Sequence, residues 1–221
     1  MTGRDPEARQ ERPHEMAVLE AGLFEPGWLT LEISPTRIDW RYMVKPTEGL
    51  PSSGLKVFGL FRETRKPFLR LMKRWLKTSP PLSRLAFGAK LLMPVADRQE
   101  GYRALDPLLP AVQIDPEGMR DFQYHVNRRR LSGSGIDALE INRLSVWSVV
   151  LASGLSLQVS PSASRVVEIS EATACRLELD INTAPEFTGK LKRKLKKSMF
   201  PKLFQELVNL GVEISEHGDQ L

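Results

Sequence analysis

The sequence predicts an α+β fold: an antiparallel sheet with two long amphipathic helices packed on one face. Three observations predict it. Several short stretches alternate apolar and polar residues with a period of two, as strands with one buried face do. Two longer stretches, 55–77 and 189–211, place apolar residues at steps of three, four and seven, the spacing of one helical face. A sheet that is apolar on one side needs cover on that side alone, and two such helices supply it. The two halves share a strands-then-helix plan, which suggests a duplicated ferredoxin-like arrangement.

Taken in order, residues 1–16 are polar and aperiodic and read as a flexible tail. Residues 17–215 read as one α+β domain, and 216–221 as a second short tail. In "GWLTLEISPTRIDWRYMV" (27–44), Leu29, Leu31 and Ile33 alternate with polar residues. After "SPTR" the alternation resumes at Ile38, Trp40, Tyr42 and Val44, so this is a β-hairpin. Pro35 fixes φ at the turn. The first helix carries Val57, Phe61, Phe68, Met72 and Trp75 on one face, with Pro67 expected to kink or divide it. Residues 82–95 alternate through Leu85, Phe87, Ala89, Leu91 and Met93 as a strand. Asp97 with Glu100 three residues on resembles a capping box and predicts a short helix over 97–110.

Beyond residue 111 strands return. Phe122, Tyr124 and Val126 form an inward set, while Gln123, His125, Asn127 and Arg129 point outward. "SGSG" (132–135) is a turn, and 138–150 completes a long hairpin. One or two strands follow over 156–182, the last with Cys175, Leu177, Leu179 and Ile181 on one face. Leu191, Leu195, Met199 and Leu203 lead a stripe that continues through Leu207 and Leu210, predicting a helix that Gly211 ends, with "VEIS" as a closing strand.

Hydrophobic content of 41% across 221 residues supplies a core. The single cysteine, Cys175, excludes an internal disulfide and a cysteine zinc site, and fits a reducing compartment. The charged start is no signal peptide, and no apolar run approaches the roughly 20 residues of a membrane span. A cytoplasmic protein without membrane association is expected. No dinucleotide fingerprint, P-loop, nucleophile elbow or HExxH occurs, and no cofactor is expected.

Net charge is +5, from 32 Lys and Arg against 27 Asp and Glu, and its clustering matters more than its size. Lys190, Lys192, Arg193, Lys194, Lys196, Lys197 and Lys202 fall within 13 residues with no acid among them. Like charges at i,i+4, such as Lys192/Lys196, repel, so a plain solvated face would normally interleave Glu. The first helix is similar: Arg62, Arg65, Lys66, Arg70, Lys73, Arg74 and Lys77 against Glu63. Side by side, the two helices would present a broad cationic surface to an acidic protein, or to phosphates without reading sequence. A merely solvated face is the third reading.

A second surface is the polar sheet face: Gln123, His125, Asn127 and Arg129, with Arg143 beside them. It could receive an anion or a peptide, although an exposed sheet face is the ordinary meaning of such a row. The third is Glu178 with Asp180, about 7 Å apart on one strand face. Paired carboxylates can hold Mg²⁺, yet alternating acids on a strand commonly pair with cations across the ladder.

The element order is also that of a known group. "RIDWRYMV" precedes a long helix, "RLAFGAKLL" follows it, and "RLELDIN" precedes a final helix ending near "LFQELVNLGVEIS". This resembles a sporadically distributed, uncharacterised family of bacterial conserved hypothetical proteins, over most of 27–215. The resemblance implies mobile or defence-associated genes; it implies no chemistry and no site residues. The reading is a non-enzymatic interaction module, an accessory subunit of a bacterial complex docking an acidic partner through its basic helices. The alternative is a protein that holds the DNA or RNA backbone. A hydrolase or nuclease using Glu178, Asp180 and His125 is third.

Overall fold

The structure is a computed structural model that describes residues 5–15, 17–45, 55, 57–160, 163–185 and 195–220, with backbone only at 15, 152–160 and 163–170. It is a mixed α+β protein with two antiparallel sheets and three α-helices among the described residues. The chain divides into two compact units, Met1–Pro51 with Lys56–Leu71, and Ser52–Leu55 with Met72–Leu221.

In the first unit, β1 (Ala8–Arg12), β2 (Ala17–Phe24), β3 (Gly27–Ser34) and β4 (Arg37–Met43) form a four-stranded meander. The anticipated hairpin is β3–β4, closed by Ser34 opposite Arg37. Leu29 is buried, and Tyr42 opposite it meets Phe24 and Phe58 edge-on, at 5.4 and 4.4 Å between centroids, and stacks on Phe68 at 5.9 Å. Such pairs add to the area they bury. Gly27 is required here: a Cβ would run into the Phe58 ring. Strand β1 corrects the expected loose tail. Its five residues are mostly exposed and contribute no apolar stripe, so backbone pairing to β2 is what holds them.

In the second unit, β5 (Ala86–Val95), β6 (Gln123–Asn127), β8 (Glu140–Ser160) and β9 (Ala163–Thr183) run in the order β5-β9-β8-β6, and β7 (Arg130–Leu131) also pairs with β8. Phe87, Trp147, Cys175, Leu177, Leu179 and Ile181 are buried on one face. Helices α2 (Arg98–Leu105) and α3 (Phe200–His217) pack on it. α2 starts as the sequence suggests: Asp97 Oδ1 accepts from the Glu100 N–H at 2.8 Å, and Glu100 Oε2 accepts from the Ala96 N–H at 2.6 Å. α3 buries Phe200, Leu203, Phe204, Leu207, Val208, Leu210 and Ile214 at steps of three and four.

Several expectations are corrected. There are two sheets, not one. Strands β8 and β9 join directly as a hairpin of two 21-residue strands, with no helix between them, so neither sheet has the ferredoxin-like plan. The final helix does not run over 189–211: it begins at Phe200, with Pro201 in its first turn, where the missing N–H is harmless. Gly211 is inside it, packed where a Cβ would lie 2.9 Å from Phe87 Cε1. "VEIS" is therefore helical, and the true end is Gly218 at φ +79°, whose N–H donates to the Ile214 carbonyl at 2.9 Å. Helix α1 (Phe61–Thr78) runs unbroken through Pro67.

Candidate docking surfaces

Helix α1 turns its cations outward in a row. Arg62, Lys66, Arg70 and Arg74 recur at i,i+4 and all are exposed, as is Lys77. At 1.5 Å rise per residue, successive members stand about 6 Å apart along the axis. Glu63 is the helix's one acid; it lies 2.5 Å from Lys66 Nζ and 3.8 Å from Arg62 Nε. Those cations and the hydrogen bond from Lys66 hold its carboxyl below the usual range, the hydrogen bond being the larger effect. Among the described residues no carboxylate pairs with Arg70, Lys73, Arg74 or Lys77. Arg65 is half-buried instead, its guanidinium 5.9 Å from the centroid of Phe61. Leu69, Leu71, Met72 and Leu76 are buried on the helix's other sides.

The second basic stretch does not mirror this. Lys190, Lys192, Arg193 and Lys194 lie outside the described residues. Lys196 and Lys197 are exposed but precede α3, on an extended residue and a short 3₁₀ turn. Only Lys202 rides on the long helix, and its Nζ donates to the Ser134 carbonyl at 3.2 Å.

Lys202 opens on a groove of about 580 Å³ that Lys73, Arg130, Gln205, Glu206 and Asn209 also line. Glu206 is committed to the turn at 132–135: it accepts from Ser132 Oγ at 2.7 Å and the Gly133 N–H at 2.6 Å. Gln205 donates to Asn209 at 2.7 Å.

Across the five-stranded sheet the register brings two separately chosen sets onto one face. His125, Val146, Glu178 and Lys90 form one cross-strand row, and Asn127, Leu144, Asp180 and Gly88 the next. Gln123 begins a third, with Ser148, Arg176 and Leu92. His125 and Glu178 stand two strand spacings apart, about 10 Å, too far for shared proton chemistry. Glu178 is engaged by Lys90 at 3.4 Å and Arg176 at 3.3 Å. Asp180 accepts from Asn182 Nδ2 at 2.9 Å. Among the described residues no group of three His, Cys, Asp or Glu converges to hold a metal. Arg143 is misplaced in the expected set: it is opposite Ile181, on the covered face. Arg129 lies past the end of β6, with Glu140 at 3.5 Å.

Two polar clusters go beyond the expected sheet-face row. A chain of amides crosses three strands: Asn127 Nδ2 donates to Asn142 at 3.2 Å, Asn142 Nδ2 to Asn182 at 3.0 Å, and Arg84 Nη2 to the same Asn182 oxygen at 2.7 Å. Asparagine is disfavoured in strands, so three of them at polar-face positions of paired strands, Asn142 and Asn182 buried, were a usable signal. The other is Asp219, whose side chain is 6% exposed. It receives Arg128 through two hydrogen bonds, at 2.7 and 2.9 Å, and Tyr124 Oη at 2.8 Å. Burial pushes its carboxyl up, but these bonds together with the charges of Arg128 and Arg143 outweigh it, and the carboxyl titrates below its ordinary 3.8. Asp219 is thus pinned, within the stretch 216–221 expected to be a loose tail. Cys175 is buried, and burial, with a smaller push from Glu100, drives its thiol to about 11, so it is no nucleophile.

No family model, curated protein or solved structure matches the chain. No helix among the described residues is long and apolar enough to cross a membrane.

Proposed function

We propose that this chain is a non-enzymatic interaction module, an accessory subunit that docks an acidic protein surface through the outward face of α1. The observation that carries the reading is the exposed row Arg62, Lys66, Arg70 and Arg74, opposed on its helix by Glu63 alone. Three like-charge i,i+4 neighbours in succession destabilise a helix by about 0.2–0.5 kcal/mol each, so the row is better suited to meeting external negative charge than to holding the helix together. The polar face of the five-stranded sheet supports the choice by contrast, since Lys90 and Arg176 there are both engaged by the Glu178 carboxylate.

One observation favours a phosphate backbone as the second reading: the row is regular, at about 6 Å per step, and a linear polyanion could lie along it. The two separate by binding. Fluorescence anisotropy with labelled poly-L-glutamate and with a mixed-sequence DNA duplex is measured over a salt series. The first reading expects saturable binding to poly-L-glutamate that exceeds binding to DNA. The second expects tighter DNA binding, its log affinity falling with log salt at a slope near about −4 for four neutralised phosphates. Binding to neither probe removes both readings.

A further inference from the structure

We propose that the outer edge of β8, residues 149–160, pairs antiparallel with the same edge of a second copy of this chain. Strands β8 and β9 stay paired from Ile141 opposite Thr183 to Ser160 opposite Ala163, with one register shift between Ser156 and Leu157, but their neighbours do not follow them. β6 leaves β8 at Ser148, opposite Gln123, and β5 leaves β9 at Thr173, opposite Val95. From Ala152 opposite Ala172 to Ser160 opposite Ala163 the hairpin continues, among the described residues, with no third strand. At about 3.3 Å per residue, that is a two-stranded ribbon some ~30 Å long. A ribbon of two strands is marginal in water; a third strand or a packed helix is what makes one stable.

The two edges of the ribbon differ in a way that says which one is paired. β9 carries Arg165, Glu168 and Glu171 over 163–172, the charges with which proteins keep an edge single. β8 reads "VVLASGLSLQVS" over 149–160, with no charged residue and no proline. Leu151, at the root of the ribbon, is 57% exposed in the single chain.

The β8 segment is also self-complementary. Alternate positions 149, 151, 155, 157 and 159 hold Val, Leu, Leu, Leu and Val, with Ser153 between them. A two-fold axis through Gly154 would set Val149 against Val159 and Leu151 against Leu157 of the partner copy. The apolar positions of the two β8 strands would then share one face. A slip of one residue would put them on opposite faces, which excludes the registers of odd offset. The interface is isologous and closes at two copies.

The test is mass in solution, by light scattering of the full chain over about a hundredfold range of concentration. A dimer is expected, and Leu151→Lys with Leu157→Lys should weaken it by about tenfold or more. Glu168→Lys on the β9 edge should leave it unchanged. Circular dichroism confirms that each variant is folded. As a second readout, Ser153→Cys, Gly154→Cys and Leu155→Cys are made in turn and oxidised; at least one should give a covalent dimer, and Ser164→Cys should not. A parent that is monomeric throughout overturns the proposal. So does a dimer indifferent to the β8 changes, or a ribbon that captures only an unrelated strand. Charge reversal on α1 is expected to leave the dimer intact, so this result and the docking result can fail separately.

Discussion

Helices α1 and α3 are each 18 residues long, yet they are held in opposite ways. α3 spends Phe200, Leu203, Phe204, Leu207, Val208, Leu210 and Ile214 on the core and lies against β9 and β5. α1 buries Leu69, Leu71, Met72 and Leu76, and between them shows solvent an i,i+4 row of cations. Both neighbourhoods are rich in Lys and Arg in the sequence. On α1 helical periodicity gathers the charges; of the described cations near α3, Lys196 and Lys197 precede the helix and Lys202 alone rides on it. Charge density alone therefore does not locate a surface. Its phase relative to the apolar stripe does.

Substitutions can break that contrast. The largest loss of stability should come from Leu207→Ala, which removes a fully buried side chain from α3. About 2–5 kcal/mol is expected in urea unfolding, with affinity for an acidic probe unchanged once the variant is folded. Asp219→Ala should follow, at about 2–4 kcal/mol, because it strands a partly buried Arg128 and frees the end of α3. Its pH signature has a definite sign. The folded carboxyl titrates below 3.8, so its contribution is complete above that value and disappears as pH falls through the lower, folded value. Acid unfolding of the parent should show this loss, and Asp219→Asn should abolish that component. Gly211→Ala should be destabilising by about 1–2 kcal/mol, despite alanine's better helix propensity, because its Cβ would press the buried Phe87 ring. Smallest is Arg70→Glu with Arg74→Glu, expected to alter stability by about 0.5 kcal/mol or less, since both residues are exposed.

Much of the sheet architecture was legible because its strands are one-sided. Leu29, Tyr42, Leu177 and Ile181 fell where period-two reading put them, and Asp97 capped the helix it was expected to cap. The losses have separate physical causes. Strand β1, "ARQER", has no apolar alternation to read, because backbone pairing with β2 and the Arg9–Glu20 ion pair, rather than burial, hold it. "VEIS" is too short to tell a period of two from 3.6, and Ile214 continues the α3 stripe as well as it would a strand. The helix start was misjudged because Leu191, Leu195 and Met199 extend the same step of four upstream, while Pro201, the better marker, was passed over. Of the candidate sites, Gln123, His125, Asn127, Glu178 and Asp180 were each assigned an outward position correctly. That they share one face needed the order of strands, which no local pattern contains. Asp219 sits eight residues past Gly211, where the last helix was expected to end, and depends on partners some 90 residues away, beyond reach of any local pattern.

The most direct measurement is the affinity of labelled poly-L-glutamate for the parent and for Arg70→Glu/Arg74→Glu, taken at one salt concentration alongside their urea midpoints. If α1 is the docking face, the paired reversal weakens binding by about tenfold or more while the midpoint stays put. Affinities that agree within about twofold, with both chains folded, would contradict it.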